Sequence, residues 1–177
     1  MTPETISDTP TRNVLILVED EDITITWTRF SHGERGPDLH VHREHTDAFY
    51  VIDGELTFEL GPRSDAITVG AGGFVAIPAL VGHSFVNASG ADARWLNFHA
   101  PDCGFADFLR TLRAGTPGSW DSYGMPADGG LAPELAVVLP AGDGRAMDLP
   151  GFHVRDDTEN GWFTYPHPGG VVAVQRA

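Results

Sequence analysis

From Val14 to His99 the apolar residues come in short stretches broken by Gly, Pro, Asn or Asp, and helical spacing first appears at Phe105. Short punctuated runs of this kind fold as strands, and many strands without intervening helices close into a sandwich or barrel. Val14–Val18 reads as a buried strand. Ile23, Ile25 and Trp27 alternate with Thr24, Thr26 and Thr28, which predicts a strand with one face in the core. Phe49–Ile52 and Glu55–Leu60 flank Asp53-Gly54, a pair suited to a tight hairpin, so these two strands are expected to pair antiparallel. Leu56, Phe58 and Leu60 then share one face. Further strands are expected at 39–42, 66–69, 74–77, 83–87, 93–99, 134–139, 151–155, 161–165 and 171–174.

One helix is expected. Phe105, Phe108, Leu109 and Leu112 recur at helical spacing, Pro101 and Asp102 precede them, and Gly115 stands where the helix should stop. This helix is expected on the outside of the β domain. Residues 1–12 read as a flexible arm, residues 13–100 as the barrel, and 101–177 as helix, loop (115–133) and C-terminal strands packing on it.

The chain carries 11 basic residues, all arginine, against 25 acidic ones, for a net charge of −14. Such a surface repels phosphate backbones and anionic lipid heads, so neither nucleic acid nor membrane is expected as a partner. No apolar run approaches the ~18 residues of a bilayer span. The first residues lack the basic and apolar regions of a signal peptide, and Cys103 is the only cysteine, so a cytoplasmic location is expected.

Three of the eight histidines fall in His40-Val-His42-Arg-Glu-His45. On a strand, side chains two apart point the same way, so His40 and His42 can aim two imidazoles at one point while Val41 faces away. Asp47 follows closely enough to return a carboxylate to that point. Imidazoles with one carboxylate suit Fe, Ni, Cu, Mn or Zn. An HxH pair alone reads more readily as a histidine-rich exposed loop.

The longer spacing is more specific. His40-x-His42 is followed after four residues by Asp47 and after six more by Gly54; then Gly72, five residues, Pro78, four residues, His83, three residues, Asn87. This resembles the two motifs of the cupin superfamily, G-x5-HxH-x3/4-E-x6-G and G-x5-PxG-x2-H-x3-N. Ala48-Phe-Tyr-Val-Ile-Asp-Gly54 and Phe74-Val-Ala-Ile-Pro78 are also similar to small single-domain cupins. The resemblance spans about residues 12–100. The Ala100-Pro101 step and the Phe-rich helix after it look like the quercetin-dioxygenase-like members.

The resemblance implies an all-β double-stranded β-helix, or jelly-roll barrel, with one divalent metal ion (Fe, Ni, Mn, Cu or Zn) in its mouth. Carried over residue by residue, the ligands are His40, His42, Asp47 and His83. The chain departs from the pattern in three places: Glu34 stands at the first-motif glycine, with Gly33 and Gly36 nearby; Leu80 replaces the second-motif glycine; and Asp47 replaces a glutamate. Aspartate is shorter by about 1.5 Å. It could ligate after a small backbone shift, act through water, or leave a three-histidine site.

The function expected is a metal-dependent oxygenase acting on a small aromatic or apolar molecule, with Asp47 also a catalytic base. The alternatives are a cupin isomerase or decarboxylase using the ion as a Lewis acid, a non-catalytic small-ligand or metal-binding cupin, and a barrel whose site has decayed. His45 is expected at the surface, Glu44 pointing away by parity, and His99 is a candidate for the cavity. Phe49, Phe58, Phe74, Phe85, Trp95 and Phe98 are expected to fill the core. A homodimer is expected, through an edge at 12–18 or 161–174.

Overall fold

The computed structural model describes residues 2–62, 66–116 and 118–139, together with the strands at 147–149, 152–157, 162–167 and 170–175. The chain divides into two compact units, residues 1–141 and 142–177.

The first unit holds two antiparallel sheets. In chain order the strands are β1 (Glu4–Asp8), β2 (Arg12–Glu19), β3 (Thr24–Phe30), β4 (His40–Val41), β5 (Thr46–Asp53), β6 (Glu55–Leu60), β7 (Ile67–Gly70), β8 (Phe74–Ile77), β9 (His83–Val86), β10 (Ala93–Ala100), β11 (Tyr123–Gly124) and β12 (Val137–Leu139). One sheet runs β1-β2-β3-β10-β5-β8-β12 and the other β11-β4-β9-β6-β7. Helix α1 (Phe105–Ala114) follows β10 and ends on Gly115, whose φ of 67° suits glycine. The second unit is one sheet, β13 (Met147–Leu149), β14 (Phe152–Asp157), β15 (Trp162–His167) and β16 (Gly170–Gln175), in sequence order.

Four expectations are corrected. Residues 1–12 are not a loose arm: β1 pairs antiparallel with β2. The strands flanking Asp53-Gly54 do not pair with each other. β5 bonds to β8 and β10, and β6 to β7 and β9, so the chain changes sheet at this corner. Gly54 (φ 72°) is required there twice over, because a Cβ would stand 2.3 Å from the Asp92 carbonyl oxygen. On β3 it is Thr26, Thr28 and Phe30 that line the central cavity, while Ile23 and Ile25 are buried as well. Both faces of this strand are covered, so alternation alone could not say which looks inward. The first segment named for dimerisation, 12–18, lies in β2 between two neighbours and is no edge.

The core lies between the two sheets, on Phe30, Phe49, Val51, Leu56, Phe58, Leu60, Val75, Ile77 and Trp95. Registers order the inner face in rows. On β10, Ala93 faces Phe30 of β3; Trp95 faces Thr28 and Val51; Asn97 faces Thr26 and Phe49; His99 faces Thr24 and Asp47. The interior therefore passes from hydrocarbon at one end to imidazole and carboxylate at the other. On the second sheet β9 repeats the change, with Phe85 opposite Phe58 and His83 opposite His40.

Two motif residues act on the backbone. Asn87 is fully buried, and its amide donates to the carbonyls of Phe30 and Ala91, closing the turn after β9. Leu80 has φ 67°, the conformation of the glycine it replaces.

Candidate metal centre

β4 delivers His40, the residue just past it is His42, β9 delivers His83 and β5 delivers Asp47, and all four side chains are buried. The candidate nitrogens of His40, His42 and His83 lie within 4.8 Å of one another. The Asp47 carboxylate stands at the same point. Its Oδ2 is 3.2 Å from His83 Nε2 and 3.7 Å from His42 Nε2.

Backbone carbonyls settle which ring nitrogens carry hydrogen. Nδ1 of His40 donates to the Asp38 carbonyl at 2.9 Å, Nδ1 of His83 to the Val81 carbonyl at 3.1 Å, and Nδ1 of His42 to the Asp121 carbonyl. A carbonyl only accepts, so in each neutral ring Nε2 keeps its lone pair. Three lone pairs and a carboxylate thus face one another. Among the described residues, His42 Nε2 is one of two buried side-chain polar atoms without a hydrogen-bond partner. Such a convergence is repulsive until a cation lies within it.

The electrostatics agree. Burial lowers His40 to about 4, helped by the neighbouring rings of His83 and His42. Burial would raise the Asp47 carboxyl, but His99, together with His42 and His83 when their Nε2 atoms carry a hydrogen, outweighs it and holds it well below the usual carboxylate range.

Around this group stand residues that the sequence reading placed elsewhere. His45, expected at the surface, is buried and stacked on His42 with ring centres 4.0 Å apart. Its Nδ1 meets the Asp121 carboxylate at 2.8 Å. The turn after β4 folds it back inward, which strand parity could not show. His99, opposite Asp47, does face the cavity. Glu44 is exposed, as parity implied. Trp120 lies over His42, His45 and His99 at 4.9, 5.2 and 5.2 Å between centres. Neither Trp120 nor Asp121 was found from sequence. Both sit in a Gly/Pro/Asp-rich loop, where the one available signal was a tryptophan amid turn residues.

Next to the centre is a cavity of about 360 Å³. The barrel supplies Thr26, Thr28, Phe30, Phe85 and Trp95 to its wall. Helix α1, expected outside, supplies Phe105, Phe108, Leu109 and Leu112. Phe105 reaches the His99 ring, with centres 3.6 Å apart.

Fold and site define a jelly-roll barrel with an imidazole-lined mouth. Residues 26–99 match the family model of the cupin domain. Among solved structures it is similar to KdgF from Halomonas sp., at 20% identity over 55% of this chain and 87% of that one, with a TM-score of 0.48. An RmlC-like cupin from Shewanella frigidimarina matches at 20% identity over 56% and 84%, with a TM-score of 0.48. A double-stranded β-helix cupin from Methanocaldococcus jannaschii matches at 23% identity over 57% and 90%, TM-score 0.48. Comparison with curated proteins finds no match. Among the described residues no helix is long and apolar enough to cross a membrane.

Proposed function

We propose that this chain holds one divalent metal ion on His40, His42, His83 and Asp47, and uses it as an oxygenase acting on a small apolar or aromatic molecule. The observation that supports the metal is the buried Nε2 of His42, a lone pair without a partner, facing two more lone pairs and a carboxylate. Neutral imidazoles with one carboxylate suit Fe, Mn, Co, Ni, Cu or Zn. Such an ion, when bound, supplies Lewis acidity and, if redox-active, electrons for dioxygen chemistry. The chain's own contribution is the binding site. The apolar wall from Phe30 to Leu112 receives a flat hydrocarbon body and excludes water from the centre. Asp47 is the one carboxylate among the described residues lining the cavity, and it is assigned the role of proton acceptor toward a bound hydroxyl.

Elemental analysis of the purified protein tests the metal. One equivalent is expected, and His42→Ala should lose most of it. Full stoichiometry in that variant would place the metal elsewhere. Oxygen uptake with catechols and flavonols tests the reaction. A loaded protein that consumes no oxygen with these compounds favours a cupin isomerase, decarboxylase or binding protein.

A further inference from the structure

We propose that Asp121 is a positioning residue for the metal centre, holding His42 through its main-chain oxygen and Asp47 through a buried chain of side chains. The inference rests on the metal reading above, but concerns a residue outside the ligand set and on a different segment.

Asp121 is buried and reaches the centre by two routes. The first is direct, because its carbonyl oxygen accepts the Nδ1 hydrogen of His42 and so presents Nε2 inward. The second runs through side chains. Asp121 Oδ2 accepts from His45 Nδ1 at 2.8 Å. His45 Nε2 meets His99 Nδ1 at 3.0 Å, with one hydrogen shared between the facing nitrogens. His99 Nε2 lies 2.9 Å from Asn97 Oδ1. The Asn97 amide donates to Asp47 Oδ1, and also to the Ala48 carbonyl at 3.0 Å, so its orientation is fixed.

Asp121 is itself held. Its carboxylate accepts the main-chain N–H of Arg43 and of Glu44, the two residues after His42, at 2.9 and 2.7 Å. One side chain therefore fastens the loop carrying Trp120 to the turn carrying His42 and His45. Trp120 and Phe105 lie over the imidazoles of His45 and His99, and every member of the chain is buried. Without the carboxylate, His45 Nδ1 and two main-chain N–H groups lose their acceptor together. Hydrogen-bond partners that orient metal ligands typically change metal affinity by about 10- to 100-fold when removed.

Cobalt(II) is the probe, because its visible bands report ligand geometry as well as occupancy. Asp121→Ala should bind cobalt about 10- to 100-fold more weakly than the natural chain and show shifted bands at saturation. Asp121→Asn keeps an oxygen for the two main-chain N–H groups and should fall between. His45→Gln cuts the side-chain route without touching the turn, and should shift the bands in a protein of unchanged circular dichroism. Asp128→Ala, which removes an exposed carboxylate from the same loop, should match the natural chain. If Asp121→Ala does not fold, Asp121→Asn and His45→Gln carry the test. Affinity within about twofold and unshifted bands in the folded variants overturn the proposal while leaving the metal site standing. A natural chain that takes up no cobalt overturns both readings.

Discussion

At position 80 the chain turns through φ 67° on a leucine, half-exposed, between the Pro78 turn and β9. Left-handed backbone costs a side chain bearing Cβ roughly 1–2 kcal/mol. Leu80→Gly removes that strain and restores some unfolded-state freedom, for a net gain of about 1 kcal/mol in urea unfolding. Leu80→Val, β-branched, should lose stability at the same site. At Asp47 the expected outcomes concern metal. Asp47→Asn should fold yet bind metal at least about tenfold more weakly, and Asp47→Glu should match the natural chain, both read by competition with a chromophoric chelator. The positions of His40, His42, Asp47 and His83 were legible because they recur at fixed sequence spacing. Those of His45 and Asp121 were not, because a turn reverses one and a long-range hydrogen bond places the other.

Helix α1 shows what spacing alone can and cannot give. Its start, stop and apolar stripe were written in Phe105, Phe108, Leu109 and Gly115. Which surface it covers was not, because docking is set by partners far along the chain: Ile6 and Ile16 beneath Phe105 and Leu109, and Glu4 and Glu19 bonding Arg110. Asp53-Gly54 carries the same ambiguity, since the positive φ that a hairpin needs also serves a corner between sheets. The Arg110 clamp has a pH signature. Its hydrogen bond to Glu4 is the largest cause lowering that carboxyl below its ordinary 4.5. The fold therefore prefers ionised Glu4, and this stabilisation is present at neutral pH and fades as pH falls below 4.5. Arg110→Ala should melt below the natural chain at about pH 7 in low salt, with the gap closing near about pH 3 and in about 1 M salt.

For the whole molecule, a metal that binds only the folded state adds to its stability. At a free concentration of about a hundred times Kd the gain is about 2.7 kcal/mol, so chelation should lower Tm, and re-addition should restore it. A chain whose Tm ignores chelator and added metal alike would contradict the metal reading. A homodimer is expected, giving twice 19.0 kDa by light scattering at micromolar concentration. β16, which overlaps the second segment named for pairing, keeps one edge without a strand partner among the described residues. A monomeric mass would remove this expectation. The rows across β3, β10 and β5 carry a consequence for how such a barrel can change over time. Burial of Phe30, Trp95 and Val51 secures folding at one end, while Asn97, His99 and Asp47 at the other add chemistry and little hydrocarbon. A scan of all substitutions along β10 should find the stability penalty greatest at Trp95 and the metal-binding penalty greatest at Asn97 and His99. Selection could then rewrite the reactive end of the barrel without renegotiating the end that makes it fold.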